Sequence, residues 1–371
     1  MFKLSKLFIF GHSMLCRIPL LVLVWVLSGC ASQSAKLQTY MRPELLYLKQ
    51  QPYSRLHVEV DTIEGVEVPD RWLDVLKAFL GEYCSKPDGI EIVRDKPVPI
   101  SEIENLPMSL ASILCIDGPD PNSRAQPAYL HVFFCDTDMG FWQKSIPPRV
   151  PQSCPCMIFF DVGYFHITKG KTEMSALKHE SGHVLGLCKN TTHCDGAHCR
   201  NHGCVMCAMP DLLSQVALLV GSGLDWQLCA DCRHDLEVWR SEDVDPNLVF
   251  KGPFLIRRED GYFVASLPYC DLIILSPMED MFDWQEVLLQ IKEQIRQAYR
   301  RKDSKEYRES KKALCHIATI YIPATKGVLP LSTTEALAIL TKAADDPCPL
   351  IRRVANTGLK ELRKRQGSQD K

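Results

Sequence analysis

At 371 residues the chain is long enough for two units that each bury a core, and its formal net charge of −2 selects no class of partner. The charge is unevenly spread: residues 281–371 hold 18 Lys and Arg against 11 Asp and Glu, which leaves about −12 on residues 30–280. The basic residues of the C-terminal part are interleaved with acids and lack an aromatic platform, which argues against a nucleic-acid partner.

In chain order, residues 1–29 read as an export signal. Lys3, Lys6 and Arg17 precede an apolar run from Ile18 to Leu27 that is short for a bilayer span. The run ends in Leu27-Ser28-Gly29-Cys30, which resembles the lipobox of bacterial lipoproteins. That resemblance implies cleavage before Cys30, lipid on its sulfur and a place in the cell envelope, outside the cytoplasmic membrane. Ala31 and Ser32 follow Cys30 directly, without the acidic residue that favours inner-membrane retention, so outer-membrane attachment is open if the host has one. Residues 30–51 are largely polar and read as a tether.

Residues 52–249 read as an α+β domain. Strands are expected over Arg55–Asp61, Gly89–Val93, Leu130–Cys135 and Met157–Phe160. A helix is expected from Asp70 to Cys84, with Asp70 as its cap, and another from Lys171 to Leu187 behind a Thr172 cap. The sheet is expected to be small and mixed. Residues 250–280 read as a connection that holds a short strand pair, Gly252 to Leu267. Residues 281–371 read as helical: Trp284–Tyr299, Lys305–Tyr321, Thr333–Ala344 and Pro349–Arg363. Asp345-Asp346-Pro347 followed by Arg352-Arg353-Val354 resembles one HEAT-type repeat, which cannot bury its faces alone. It reads either as a cap on the first domain or as a docking surface for a protein partner.

Seventeen cysteines in an exported protein point first to disulfides. Cys84, Cys115, Cys135, Cys154, Cys156 and Cys270 fit that expectation. The stretch from His179 to Cys232 points elsewhere. His179-Glu180-Ser181-Gly182-His183 places two imidazoles four residues apart on one helical face, within reach of a single metal ion, with Glu180 beside them. Zinc in a hydrolase has three protein ligands and an open position for water, and Glu180 is then the general base. Gly186 can end the helix and turn the chain back towards the metal.

The pattern H-E-x-x-H-x-x-G belongs to the metzincins. Their third histidine would fall at position 189, which is Lys189 here. Further on come His198-Cys199, then Cys204-Val205-Met206, then Cys229 and Cys232 as a Cys-x-x-Cys pair. This order resembles the archaemetzincin family of zinc metallopeptidases. The resemblance implies a metzincin-like catalytic domain with two zinc ions. His179, His183 and His198 would hold the catalytic one, and Cys199, Cys204, Cys229 and Cys232 the structural one. Met206 would be the methionine of the turn beneath the metal, with Met209 a nearby alternative.

Two spacings depart from the family. Eleven residues separate Gly186 from His198 where the family has two, and twenty-two separate Met206 from Cys229 where it has seventeen. His193-Cys194 is a second His-Cys pair nearer the helix. It lacks the Cys-x-Met continuation, which favours His198 and leaves His193 as the alternative. Cys188, Cys194, Cys207 and His202 have no assigned place. The expected activity is peptide-bond hydrolysis, with a peptide or protein substrate lying along a sheet edge such as Met157–Phe160. A zinc-stabilised binding protein that works through its helical tail is the rival. Zinc storage is a third reading, and it requires more than two bound ions.

Overall fold

The computed structural model describes residues 42–103, 106, 108–123, 125–136, 156–162, 171–207, 227–259, 262–267, 270–274, 283–300 and 318–321, with isolated helical positions between 337 and 360. Cys30, Cys154, Met209 and most of the HEAT-like segment lie outside these residues. Among the described residues no helix is long and apolar enough to cross a membrane.

The first described element is α1 (Glu44–Leu48), a short helix whose five residues are all buried. Residues 44–48, expected within the tether, are therefore packed in the folded domain. The apolar run Leu45-Leu46-Tyr47-Leu48 accounts for this, since leaving it in water would expose four large side chains. Buried Lys86 fixes the segment by donating from Nζ to the carbonyls of Leu46, Lys49 and Tyr53, at 2.6–2.7 Å.

Strands β1 (Leu56–Thr62), β2 (Ile90–Arg94), β3 (Ala128–Cys135) and β4 (Met157–Asp161) form a sheet in the order β2-β1-β3-β4. Every pairing is parallel, with Leu56 opposite both Ile90 and Ala128 and Phe133 opposite Phe159. The expected mixed sheet is thus parallel among the described strands. The reason is burial on both faces: β3 and β4 are buried along their whole length, the pattern of a sheet covered on two sides.

One face is covered by α2 (Asp70–Tyr83). Its stripe of Trp72, Leu73, Leu76, Phe79, Leu80 and Tyr83 is buried, and Trp72 packs against Phe134 and Phe160. Asp70 is the first helical residue and does not act as the cap, a position held by Pro69. A further helix, over Lys171–Val184, lies beside α2. Between β2 and β3 run two short helices, α3 (Ile100–Ile103) and α4 (Met108–Cys115). The other face carries His57, Glu59 and Asp61 from β1, all buried. Alternation of polar and apolar residues along a strand ordinarily leaves the polar ones in water; here the Asp117–Gly118 turn after α4 closes over them.

α5 (Lys171–Val184) and α6 (Ala230–Ser241) complete this part. Thr172 lies inside α5 and is not its cap. A second sheet follows, made of β5 (Leu248–Lys251), β6 (Phe254–Glu259), β7 (Tyr262–Leu267), β8 (Cys270–Ile274) and β9 (Ala318–Tyr321). β5 to β8 are an antiparallel meander, and β9 pairs parallel with β8. The strand pair expected within Gly252 to Leu267 is present as β6 and β7. One expectation is corrected: the end of the helix expected over Lys305–Tyr321 is a strand, where Thr319-Ile320-Tyr321 suits a pleated surface. α7 (Trp284–Arg300) matches its expected range. Trp284 packs against Gly118 and Gly252 so closely that a Cβ at either would lie within 3 Å of its ring. Lys292 ion-pairs with Asp117 at 2.9 Å, so the start of the helical tail is packed on the first domain.

Candidate metal centre

The end of α5 is set by Gly186. Its N–H donates to the carbonyl of His183 and that of Leu187 to the carbonyl of Gly182, a Schellman pair, with Gly186 at φ +87°. A Cβ at Gly186 would also meet Glu44 at 2.9 Å. The helix therefore stops one turn after His179 and His183. Lys189, which stands where the plain metzincin pattern has its third histidine, pairs instead with Glu44 at 2.8 Å.

The chain returns as a hairpin. Asp195 N–H donates to His198 O and Arg200 N–H to His193 O, Cys194 faces Cys199, and Gly196 supplies the positive φ of the turn. The Asp195 carboxylate accepts the N–H groups of Ala197 and His198, which fixes the turn from inside. His198 is thereby held against α5. Its ring centroid is 5.3 Å from that of His179 and 5.9 Å from that of His183. One nitrogen of each of the three rings lies within 4.8 Å of the other two.

The turn Cys204-Val205-Met206 passes beneath. Val205 O accepts from Nδ1 of His179 at 2.8 Å, which leaves the Nε2 lone pair of that ring facing Nε2 of His183 at 3.1 Å. Met206 is fully buried, and a Cβ at Gly182 would come within 2.2 Å of its sulfur. Burial pushes the His179 imidazole down to about 4 and that of His183 to about 3, each ring being further disfavoured as a cation by its histidine neighbours. Both are neutral at pH 7, the form that offers a lone pair. Two nitrogens on a tetrahedral zinc ion stand about 3.3 Å apart, so the spacing and the donor chemistry fit that ion. Glu180, buried, lies on the same turn of α5.

The thiols form a neighbouring cluster. Cys199 Sγ is 3.7 Å from Cys229 Sγ, and Cys204 Sγ is 3.7 Å from Cys232 Sγ. These are not disulfide distances; they match the ~3.8 Å between sulfurs on one tetrahedral zinc. Backbone N–H groups of Asn201, Met206 and Cys229 point at the sulfurs of Cys199 and Cys204, and Cys229 stands at the N-cap position of α6. Cys204 is drawn down to about 5, first by the Cys232 thiol and then by the N–H groups, against the effect of burial. Cys84, Cys115 and Cys156 are buried free thiols, so the disulfides expected for them are not formed among the described residues.

The two histidines that compete in the sequence are thus separated. His198 joins His179 and His183, whereas His193 lies among the thiols, its Nε2 3.5 Å from Cys232 Sγ and 3.5 Å from Asp235 Oδ2. His202 sits apart beside Cys207.

A second polar cluster escaped the sequence reading. On the far face of the sheet, Glu59 accepts from Tyr129 Oη and from the N–H groups of Asp117 and Gly118, and Asp61 meets His131 Nε2 at 2.8 Å. Burial raises Glu59 to about 7 and Asp61 to about 8, with Asp95 and Asp117 adding to the latter, and lowers His131 to about 4. The alternation along β1 was its one signal in the sequence.

No protein-family model and no curated protein matches the chain. Among solved structures, the chain is similar to archaemetzincin from Methanopyrus kandleri, with 15% identity and a TM-score of 0.34, over 51% of this chain and 97% of that one.

Proposed function

We propose that this protein is a zinc-dependent peptidase of metzincin type. The observation that carries the reading is the convergence of buried His179 with half-buried His183 and His198, with Glu180 on the same turn of α5. His179, His183 and His198 would hold the catalytic ion. A zinc ion so held polarises a carbonyl and brings the pKa of a bound water to about 7. The residues of the chain do the rest. Val205 O holds His179 in the tautomer that presents Nε2. Met206, against Gly182, supports the floor of the site. Glu180 takes the proton of the attacking water and passes it to the leaving amine. A peptide would add as a strand along β4, which ends the order of described strands. Cys199, Cys204, Cys229 and Cys232 would hold a structural zinc ion. Lipid on Cys30 would place the enzyme in the cell envelope.

The test is cleavage of a mixed peptide library by the zinc-loaded chain and by Glu180→Gln. Retained zinc with turnover reduced by roughly 10²–10⁴-fold is expected of the variant. If both forms hold zinc and neither cleaves, the peptidase reading fails and a partner of the helical tail becomes the question.

A further inference from the structure

We infer that the thiol cluster is a binuclear centre, in which a second zinc-class cation is held by His193, Cys194, Cys199 and Cys232 and shares the last two sulfurs with the ion of the four-cysteine set. The ligand atoms of His193, Cys194, Cys199 and Cys232 all lie within 4.8 Å of one another, as do those of Cys199, Cys204, Cys229 and Cys232. The two sets of four overlap in Cys199 and Cys232 alone, which is how two tetrahedra share an edge. Thiolate sulfur has the lone pairs to bridge two ions, and imidazole with thiolate suits zinc.

A second observation points to the same position. Asp235 is buried, its Oδ1 accepts from Asn190, and its Oδ2 has no hydrogen-bond partner although it lies 3.5 Å from His193 Nε2. A buried carboxylate oxygen left in this way is costly unless a cation stands near it. Charge argues likewise. One divalent ion on four thiolates leaves two negative charges, whereas two ions on five thiolates leave one.

The extra ion has a structural purpose. His193 and Cys194 lie in the eleven residues that separate Gly186 from His198, and Cys194 pairs with Cys199 at the base of the hairpin that presents His198. Its binding would clamp that base, so the long insertion and the correct placing of His198 are compatible. Three ions per chain would then reflect two built centres and not storage.

The inference rests on the proposed metal loading of the four-cysteine set. Its test is metal content by native mass spectrometry, with cadmium-113 resonance of the cadmium-loaded chain as a second measurement that needs no variant. The full chain should carry three zinc ions, and His193→Ala with Cys194→Ser should lose one. Two thiolate-bound cadmium signals should be split by coupling through the shared sulfurs. Two zinc ions per chain with one uncoupled thiolate signal would overturn the binuclear centre and leave the peptidase reading intact. Absence of any thiolate-bound cadmium would remove both thiolate ions.

Discussion

On the side of the parallel sheet that α2 and α5 cover, imidazoles and thiols are packed with their lone pairs turned towards each other; on the opposite side carboxylates are packed around N–H and O–H donors. Both clusters bury polar groups, which is costly unless each finds a partner. The difference lies in what the neighbours leave unmet. Val205 O satisfies the Nδ1 of His179 and so exposes its Nε2 to the other rings, and three backbone N–H groups direct the sulfurs inward. Their ligand atoms lie within 4.8 Å of one another, a set that a cation would complete. Glu59 instead receives two N–H groups and the Tyr129 hydroxyl, and Asp61 is hydrogen-bonded to His131, although Asp61 Oδ1 and His131 Nδ1 have no partner of their own. Burial alone does not separate the two clusters, since Glu59, Asp61 and Asp95 also bring carboxylate oxygens within 4.8 Å of one another; the direction of the surrounding donors is what differs.

If that contrast holds, removing metal should cost the first cluster heavily and the second nothing. Cys204→Ser takes one sulfur from the four-cysteine set and should lower stability by several kcal/mol, with loss of bound zinc. The measurement is denaturant unfolding with and without a chelator. A chelator should destabilise the unmodified chain by a similar amount and have little further effect on the variant. Equal midpoints for the unmodified chain in the two conditions would break the comparison.

A smaller effect is expected from the floor of the site. Gly182→Ala sets a methyl group against the Met206 sulfur, which must move, and overpacking of this kind costs about 1–3 kcal/mol. Because Met206 and Val205 belong to one turn, His179 should lose its hydrogen bond to Val205 as well. The expected signature is reduced kcat together with weaker zinc retention, read by turnover and by competition with a chromophoric chelator. Unchanged values for both would mean that the turn does not support the histidines.

What the sequence disclosed follows the range of the interactions. His179, His183 and Gly186 belong to one helical end, so their spacing predicted their geometry. His198 depended on a hairpin that brings Cys194 to Cys199, and only the order of the later cysteines favoured it over His193. The parallel register of β1 with β2 and β3 is non-local, and the spacing of polar residues in β1 could not say that α4 and α7 would close over them. Thr319-Ile320-Tyr321 lay at the end of a helical pattern, and its pairing with β8 overrode that pattern.

The carboxylate cluster gives the last test, and it depends on sign. Asp61 and Glu59 are raised, to about 8 and about 7, so the folded chain keeps protons that the unfolded chain has released. Their contribution is complete below the ordinary carboxylate range and is lost as pH rises through the folded values. His131, lowered to about 4, acts oppositely but only below about pH 6.5, where the unfolded imidazole takes up a proton. Between about pH 6.5 and 8 the carboxylates therefore act without it. Asp95, Asp117, Lys292 and Tyr129 surround them, and the Lys292 ammonium bound to Asp117 moderates the rise at Asp61. At saturating zinc, stability should fall by about 1–2 kcal/mol across that interval in the unmodified chain. Asp61→Asn, which cannot titrate, should show a flatter profile whatever its absolute stability, read as melting temperature against pH at fixed ionic strength. Parallel profiles for the two proteins would show that Asp61 is ionised throughout, and the cluster would then need a cation as the thiols do.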